Sequence, residues 1–306
     1  MTLAEWRKAI EEAMIQAGMS QASQEAKWLL GAAINRDGAF VTLNPAYIPT
    51  FAEEKIIQDW LTRRLEREPL SRIKGMREFW SLAFQLNEHT LDPRPESELI
   101  VEAVLKWIGP RTNEPWRILD LGTGSGCLLI SLLHELKNAS GVGVDIEEKA
   151  LSMAQNNAEL NDVLPRAHFQ ISNWGEGIRE KFDIIVSNPP YIPLQEKEAL
   201  EKAVLTYDPP QALFGGEDGL DCYALLAKAI PFRLASGGLV VLEIGMGQSG
   251  SVTSLFQEQG FQCLFILKDL QGIERTVAFE MNSILKSQLQ NSRCHPRGGG
   301  DPGGYK

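Results

Sequence analysis

The chain is poor in the residues that build covalent or metal-bound frameworks. Its four cysteines, Cys127, Cys222, Cys263 and Cys294, stand far apart in 306 residues, and none forms a Cys-x-x-Cys pair. Its four histidines show no ligand spacing with them. A disulfide scaffold and a structural zinc site are not expected on this pattern, and no metal is expected in the chemistry. Cys294-His295 supplies only two candidate ligands, short of the four a structural site needs. Positive charge is also scarce: 30 Lys and Arg face 40 Asp and Glu, for a net charge of −10. Neutralising phosphates needs a basic face, so direct nucleic-acid binding is not expected. No run of 18 apolar residues occurs, which argues against a membrane-spanning helix. The segment Met1 to Gly18 is amphipathic and carries acids, unlike a signal peptide. A cytoplasmic protein is expected. No internal repeat is visible.

What is present is an ordinary globular composition, 43% hydrophobic and 23% charged, arranged in two styles. Up to about residue 70 the apolar residues follow a helical period. Thr2 and Glu5 fit a capping box ahead of Leu3, Trp6, Ile10 and Ala13. Ala26, Leu29, Leu30 and Ala33 mark a second helix. Ile56, Ile57, Trp60, Leu61 and Leu65 mark another, ending in a charged, solvated run from Arg63 to Glu68. From Trp80 to Leu86 the period switches to that of a strand, and Pro93-Arg94-Pro95 then punctuates the chain. Beyond residue 96, helix and strand alternate. Strands are expected at 117–121, 141–145, 167–172, 182–187 and 239–244, with helices at 97–107, 127–136, 149–160 and 220–234. Two apolar runs, 261–267 and 276–279, read as a closing hairpin. Repeated βα units predict a doubly wound, mostly parallel sheet. The domain reading is a helical unit over 1–75, a β connector over 76–95, an α/β domain over 96–285 and a disordered Gly- and Pro-rich tail over 286–306.

Three strand ends carry candidate chemistry. The first strand runs into Gly122-Thr123-Gly124-Ser125-Gly126 before a helix. Glycines there let backbone approach a ligand, and the helix start offers free N–H groups. The third glycine comes one position early for a dinucleotide fingerprint, and no Lys-Ser/Thr follows as in a Walker A loop. Asp120, just before the loop, would repel a pyrophosphate and could pair with an ammonium group. Asp145 ends the second strand, where an acid accepts hydrogen bonds from both ribose hydroxyls; the alternative is an acid favouring a helix N-terminus. Trp174 follows the third strand, placed either to flank an adenine or to fill core. The fourth strand runs into Asn188-Pro189-Pro190-Tyr191. Two prolines fix the backbone and remove two donors. Asn188 adds an amide and Tyr191 a flat face with a polar tip. The tetrad reads as a rigid clamp for a planar amide or aminated base, or as a proline-rich turn. In an open α/β sheet these strand ends share one crevice. The cofactor that fits is S-adenosylmethionine, with its ribose at Asp145, its methionine moiety near the glycine loop and its sulfonium aimed at Asn188.

At these residues the chain resembles a class I methyltransferase. More closely it is similar to the release-factor glutamine methyltransferases of the HemK/PrmC family, nearly throughout residues 1–285. The resemblance rests on Arg77-Glu78-Phe79-Trp80, Pro93-Arg94-Pro95-Glu96-Ser97-Glu98, the segments 120–126 and 187–192, Leu213 to Asp221, and Leu242-Glu243-Ile244-Gly245. It implies a Rossmann-like, seven-stranded, mostly parallel sheet behind a helical N-terminal domain and a β-hairpin connector. It implies methyl transfer to the side-chain amide nitrogen of the glutamine in the Gly-Gly-Gln motif of peptide chain release factors. By the same resemblance the positions Gly122 to Gly126, Asp145, Trp174 and Asn188 bind the cofactor, leaving S-adenosylhomocysteine, and Asn188 to Tyr191 bind the glutamine. Asn188, Pro189 and Tyr191 are the catalytic candidates, and no local His or acid competes as a base. Release factors are the expected partners of an expected monomer. Asn173, Asp92 and Asp208 depart from the family's usual Asp, aliphatic residue and Glu, and the tail from Asn291 has no counterpart. The alternative function is methylation of an exocyclic amine of adenine or guanine in nucleic acid. A further alternative is a module that binds the cofactor without catalysis.

Overall fold

The computed structural model describes residues 1–282. The expected tail disorder, the Cys294-His295 pair and the boundary at 285 lie outside the described residues. Five helices come first: α1 Leu3–Gln16, α2 Ala22–Ala33, α3 Gly38–Leu43, α4 Phe51–Leu65 and α5 Leu70–Lys74. The capping box forms, with the Thr2 hydroxyl accepting from Glu5 N–H and the Glu5 carboxylate accepting from Thr2 N–H. Thr50 and Glu53 repeat it at α4. Leu3, Ile10 and Met14 of α1 meet Leu29 and Leu30 of α2 and Ile57 of α4 in a separate core, all fully buried. The helices α3 and α5 are too short to show a period and were not foreseen.

A hairpin follows, β1 Met76–Phe79 and β2 Leu82–Gln85, paired antiparallel. The expected β-hairpin connector is present, and only the strand period read from Trp80 is corrected. Trp80 and Ser81 form the two-residue turn, with φ of 52° and 58°, as this hairpin twist requires. A bulky residue pays for positive φ; Trp80 is held by its backbone N–H donating to Glu98 at 2.8 Å and its indole N–H donating to Glu135 at 2.9 Å.

Then come α6 Glu98–Ile108, β3 Arg117–Leu121, α7 Cys127–Glu135, β4 Ser140–Asp145, α8 Glu148–Leu160, β5 Ala167–Ile171, β6 Phe182–Ser187 and α9 Lys202–Tyr207. The chain continues through α10 Asp221–Ala229, β7 Leu234–Glu243, α11 Ser249–Glu258, β8 Phe261–Lys268 and β9 Glu274–Met281. The helix expected to reach residue 234 stops at Ala229. Pro231 lacks an N–H, a single 3₁₀ turn over Ile230–Phe232 follows, and Leu234 already begins β7. The sheet order is β5-β4-β3-β6-β7-β9-β8, parallel except for β9, which runs antiparallel to both β7 and β8.

Strand alternation sorts the core into two layers. Ile118, Ile184, Val186 and Val241 face α6, α7 and α8, where Phe79 and Phe84 of the hairpin also pack. Leu119, Leu121, Ile185 and Leu242 face α10 and α11. Each fully buried aliphatic contributes about 1.5–3 kcal/mol. The sheet reverses its winding between β3 and β6, so the loops after β3, β4 and β6 open on one crevice.

Candidate active site

The loop after β3 uses its glycines as backbone. Gly122, Gly124 and Gly126 have φ of 74°, 53° and 81°, a region L side chains rarely enter. Gly126 also admits a neighbour, since a Cβ there would lie 2.9 Å from Ile130 Cδ1 and 3.1 Å from Ala154 Cβ. Thr123 and Gly122 N–H both donate to the Val144 carbonyl, pinning the loop to the end of β4. Asp120 does not line the cavity above the loop. It is fully buried under the loop and accepts the Thr123 hydroxyl at 2.6 Å. Burial pushes its carboxyl up to about 7. The suggested pairing with an ammonium group is therefore corrected: Asp120 supports the loop from beneath.

A cavity opens above the loop, lined by Gly122, Thr123, Gly124, Ser125, Asp145, Asn173, Trp174, Asn188 and Pro190 among others. Asp145 accepts Gly124 N–H at 2.9 Å on one oxygen and Glu147 N–H at 3.1 Å on the other. Glu147 caps α8 with its own side chain, so Asp145 is not the helix cap. Burial raises its carboxyl pKa, against the pull of the Gly124, Glu147 and Ile146 N–H groups. The Trp174 ring packs on the core under β3 and also lines the cavity, its edge near Gly122.

The tetrad divides between this cavity and a second one. Asn188 lines both, with Leu91 and Ala212. Pro190 lines the first and Tyr191 the second. Pro189 is buried and is among the lining residues of neither. Chain beyond the tetrad is tied back at Ile192, whose N–H donates to Leu213 O and whose carbonyl accepts Gly215 N–H.

Two residues with no role assigned from sequence stand beside the tetrad, Ser97 in the lining of the first cavity and Glu243 in that of the second. The Asn188 amide Nδ2 donates to Ser97 Oγ at 3.0 Å. The Ser97 hydroxyl donates to Glu243 Oε2 at 2.5 Å, and the Tyr191 hydroxyl donates to Glu243 Oε1 at 3.1 Å. Glu243 is 1% exposed at the end of β7. Burial lifts its carboxyl to about 7, while Ser97, Tyr191 and Arg275 pull it back. Burial also keeps the Tyr191 phenol protonated by driving its pKa far up. An acid thus stands beside the tetrad after all; it arrives from a neighbouring strand, which is why the local stretch showed none. Both residues sit in quoted motifs, yet 146 positions apart, and no spacing rule links them.

Two of the departures from family pattern prove to be partners. Asp208 accepts from Arg72 and Arg94, each at 2.6 Å, and its Oδ1 also accepts Asp92 N–H. Arg72 of α5 reaches further, to the carbonyls of Asn87 and Thr90. Asp92 takes the Ser71 hydroxyl and faces Arg77. This buried cluster ties the helical unit and the hairpin to the segment holding Leu200 and Val204 against the second cavity.

Comparison with known proteins agrees with this architecture. Residues 5–75 match the family profile of the PrmC N-terminal domain, and residues 96–207 that of the methyltransferase small domain. The chain is 41% identical over 262 residues to the release factor glutamine methyltransferase of Rhodospirillum rubrum, covering 85% of this chain and 79% of that one. It is 39% identical to the protein of the same name from Bradyrhizobium diazoefficiens, covering 89% and 92%. Among solved structures, the hMettl16 catalytic domain in complex with MAT2A 3'UTR hairpin 6 shares the fold at a TM-score of 0.53 and 15% identity, over 74% of this chain and 83% of that one. With two such relatives matched over most of their lengths, the chain belongs to the release factor glutamine methyltransferase family.

Proposed function

We infer that this protein transfers a methyl group from S-adenosylmethionine to the side-chain amide nitrogen (N5) of the glutamine in the Gly-Gly-Gln motif of peptide chain release factors, in the cytoplasm. The observation that carries the reading is the meeting of two cavities at one amide side chain, Asn188. The first cavity suits the cofactor. Its glycine loop leaves open space above Gly124, Asp145 offers a carboxylate to accept from a ribose hydroxyl, and Trp174 offers a flat wall for a purine. Ser125 and Gly126 extend the loop toward the start of α7. Bound there, S-adenosylmethionine supplies an electrophilic methyl group and departs as S-adenosylhomocysteine.

The chain's own residues orient the acceptor. An amide nitrogen is a poor nucleophile because its lone pair is shared with the carbonyl. Asn188 Oδ1 accepts one of its hydrogens, and Tyr191 packs on the amide plane. This aims the nitrogen at the first cavity, an alignment worth several kcal/mol. The proton leaves after transfer. Pro189, buried and outside both cavities, and Pro190 keep the turn that carries Asn188 and Tyr191 fixed, because neither ring allows φ to turn.

In this reading the helical unit over 1–75 grips the release factor outside its glutamine loop, 76–95 connects, and the remainder to 285 catalyses. Support comes from the exposed side chains Leu43, Ile48 and Phe51, at 78%, 67% and 74% exposure. Labelled cofactor offered with release factor or with nucleic acid tests the reading. Label in the release factor alone is expected. Label only in nucleic acid would select the base-methylating alternative, and label in neither would leave a module without catalysis.

A further inference from the structure

Glu243 joins the two polar members of the tetrad from below. One of its oxygens receives the Tyr191 hydroxyl and the other the Ser97 hydroxyl. Ser97 is 2% exposed and receives the Asn188 Nδ2 proton. A serine hydroxyl has one proton. Because that proton points to Glu243, Ser97 turns only lone pairs toward Asn188. The oxygen of the Asn188 amide in that place would face an acceptor with no hydrogen between them. The amide is therefore held with Nδ2 inward and Oδ1 toward the cavities. That is the orientation an incoming amide N–H needs.

We propose that Glu243 is a positioning residue, acting through Ser97 on Asn188 and directly on Tyr191, that locks the Asn188 amide with its oxygen toward the substrate. The proposal rests on the amide-acceptor reading above. Its polarity depends on an ionised carboxylate. A protonated Glu243 can donate to Ser97, which frees the Ser97 proton for Asn188 and lets the amide turn over. Nδ2 would then meet the N–H groups of the substrate, donor against donor. The groups facing Glu243 are Ser97 and Glu96 before α6, Tyr191 after β6, Arg275 on β9 and Tyr223 on α10, whose hydroxyl donates to the Glu243 carbonyl. Arg94 and Cys127 stand farther out. Among these, burial dominates and places the titration near 7, so activity should fall as pH drops through that value.

The test compares wild type, Glu243→Gln and Ser97→Ala. The readouts are kcat against pH with release factor, cofactor Kd by calorimetry, and the Asn188 side-chain nitrogen resonance against pH, assigned with Asn188→Ala. Expected for Glu243→Gln is a kcat loss on the order of 100-fold, an unchanged cofactor Kd, and loss of the acid limb. Ser97→Ala should lose roughly tenfold in kcat, the equivalent of one hydrogen bond. The Asn188 resonance should follow the acid limb in wild type and stand still in Glu243→Gln. An acid limb that survives in Glu243→Gln, an undiminished kcat in Ser97→Ala, or losses mirrored in cofactor Kd would overturn the proposal. Should wild type label no release factor while its Asn188 resonance still titrates, the lock stands and the substrate reading falls.

Discussion

The two halves of the crevice are built by different rules. On the donor side the defining contact, Gly124 N–H to Asp145, spans 21 positions and follows from one strand-turn-helix unit and its neighbour. On the acceptor side the contacts run from Asn188 to Ser97 across 91 positions and from Ser97 to Glu243 across 146. The donor side presents a glycine loop, whose N–H groups at Gly122, Thr123, Gly124 and Gly126 are taken up by Val144, Asp145 and Thr123, and one carboxylate. The acceptor side rests on buried ionisable groups, Glu243 under the tetrad and the Arg72–Asp208–Arg94 cluster behind it. Local turn geometry suffices to build the proposed cofactor side. The proposed acceptor side takes groups assembled by the whole fold.

Breaking the acceptor side should cost most. Asp208→Ala leaves Arg72, with a side chain 7% exposed, as a buried charge without its carboxylate. Removing one partner of such a pair costs about 3–5 kcal/mol, read as a lower urea midpoint. A midpoint equal to wild type would show that the cluster is not a structural tie. The donor side should fail differently. Asp145→Asn replaces one acceptor oxygen by a donor where the proposed ribose would sit, so cofactor binding should weaken by about 1.5–3 kcal/mol, the range for hydrogen bonds to charged groups. Rate at saturating cofactor should stay near wild type. An effect on rate with Kd unchanged would place Asp145 on the acceptor side of the comparison.

The smallest expected effect is a stability gain. Glu243 titrates near 7 when folded against 4.5 for an ordinary glutamate. Between those values the folded state holds the extra proton, so stability falls as pH rises. The cost is complete above about 7 and absent below 4.5. Glu243→Gln should therefore melt higher than wild type above neutral pH, with the difference closing as pH falls toward 4.5. A constant Tm difference across that range would contradict a buried, charged Glu243.

Legibility in the sequence followed the same division. β3 and β6 fall on the residues that their apolar runs marked, 117–121 and 182–187, because strands buried on both faces stay mostly hydrophobic, broken here only at the ends and at Asp120 and Asp183. The glycine loop and Asp145 were visible because a ligand-approaching turn needs glycine at fixed places. Trp80 misled, since its apolar character fits a strand while its backbone makes the turn. Residue 234 misled because Pro231 ends the helix within an apolar run. Segment 188–219 showed no period at all; it is held by Ile192, Asp208 and the arginines that reach it, none of them neighbours in sequence. Ser97 and Glu243 became a pair only once α6 and β7 were set side by side in three dimensions.

If donor and acceptor meet at a correctly turned Asn188 amide, single-turnover methylation of release factor by Asn188→Ala, with cofactor saturating, should run slower by roughly 100-fold. A rate near that of wild type would show that they do not meet there.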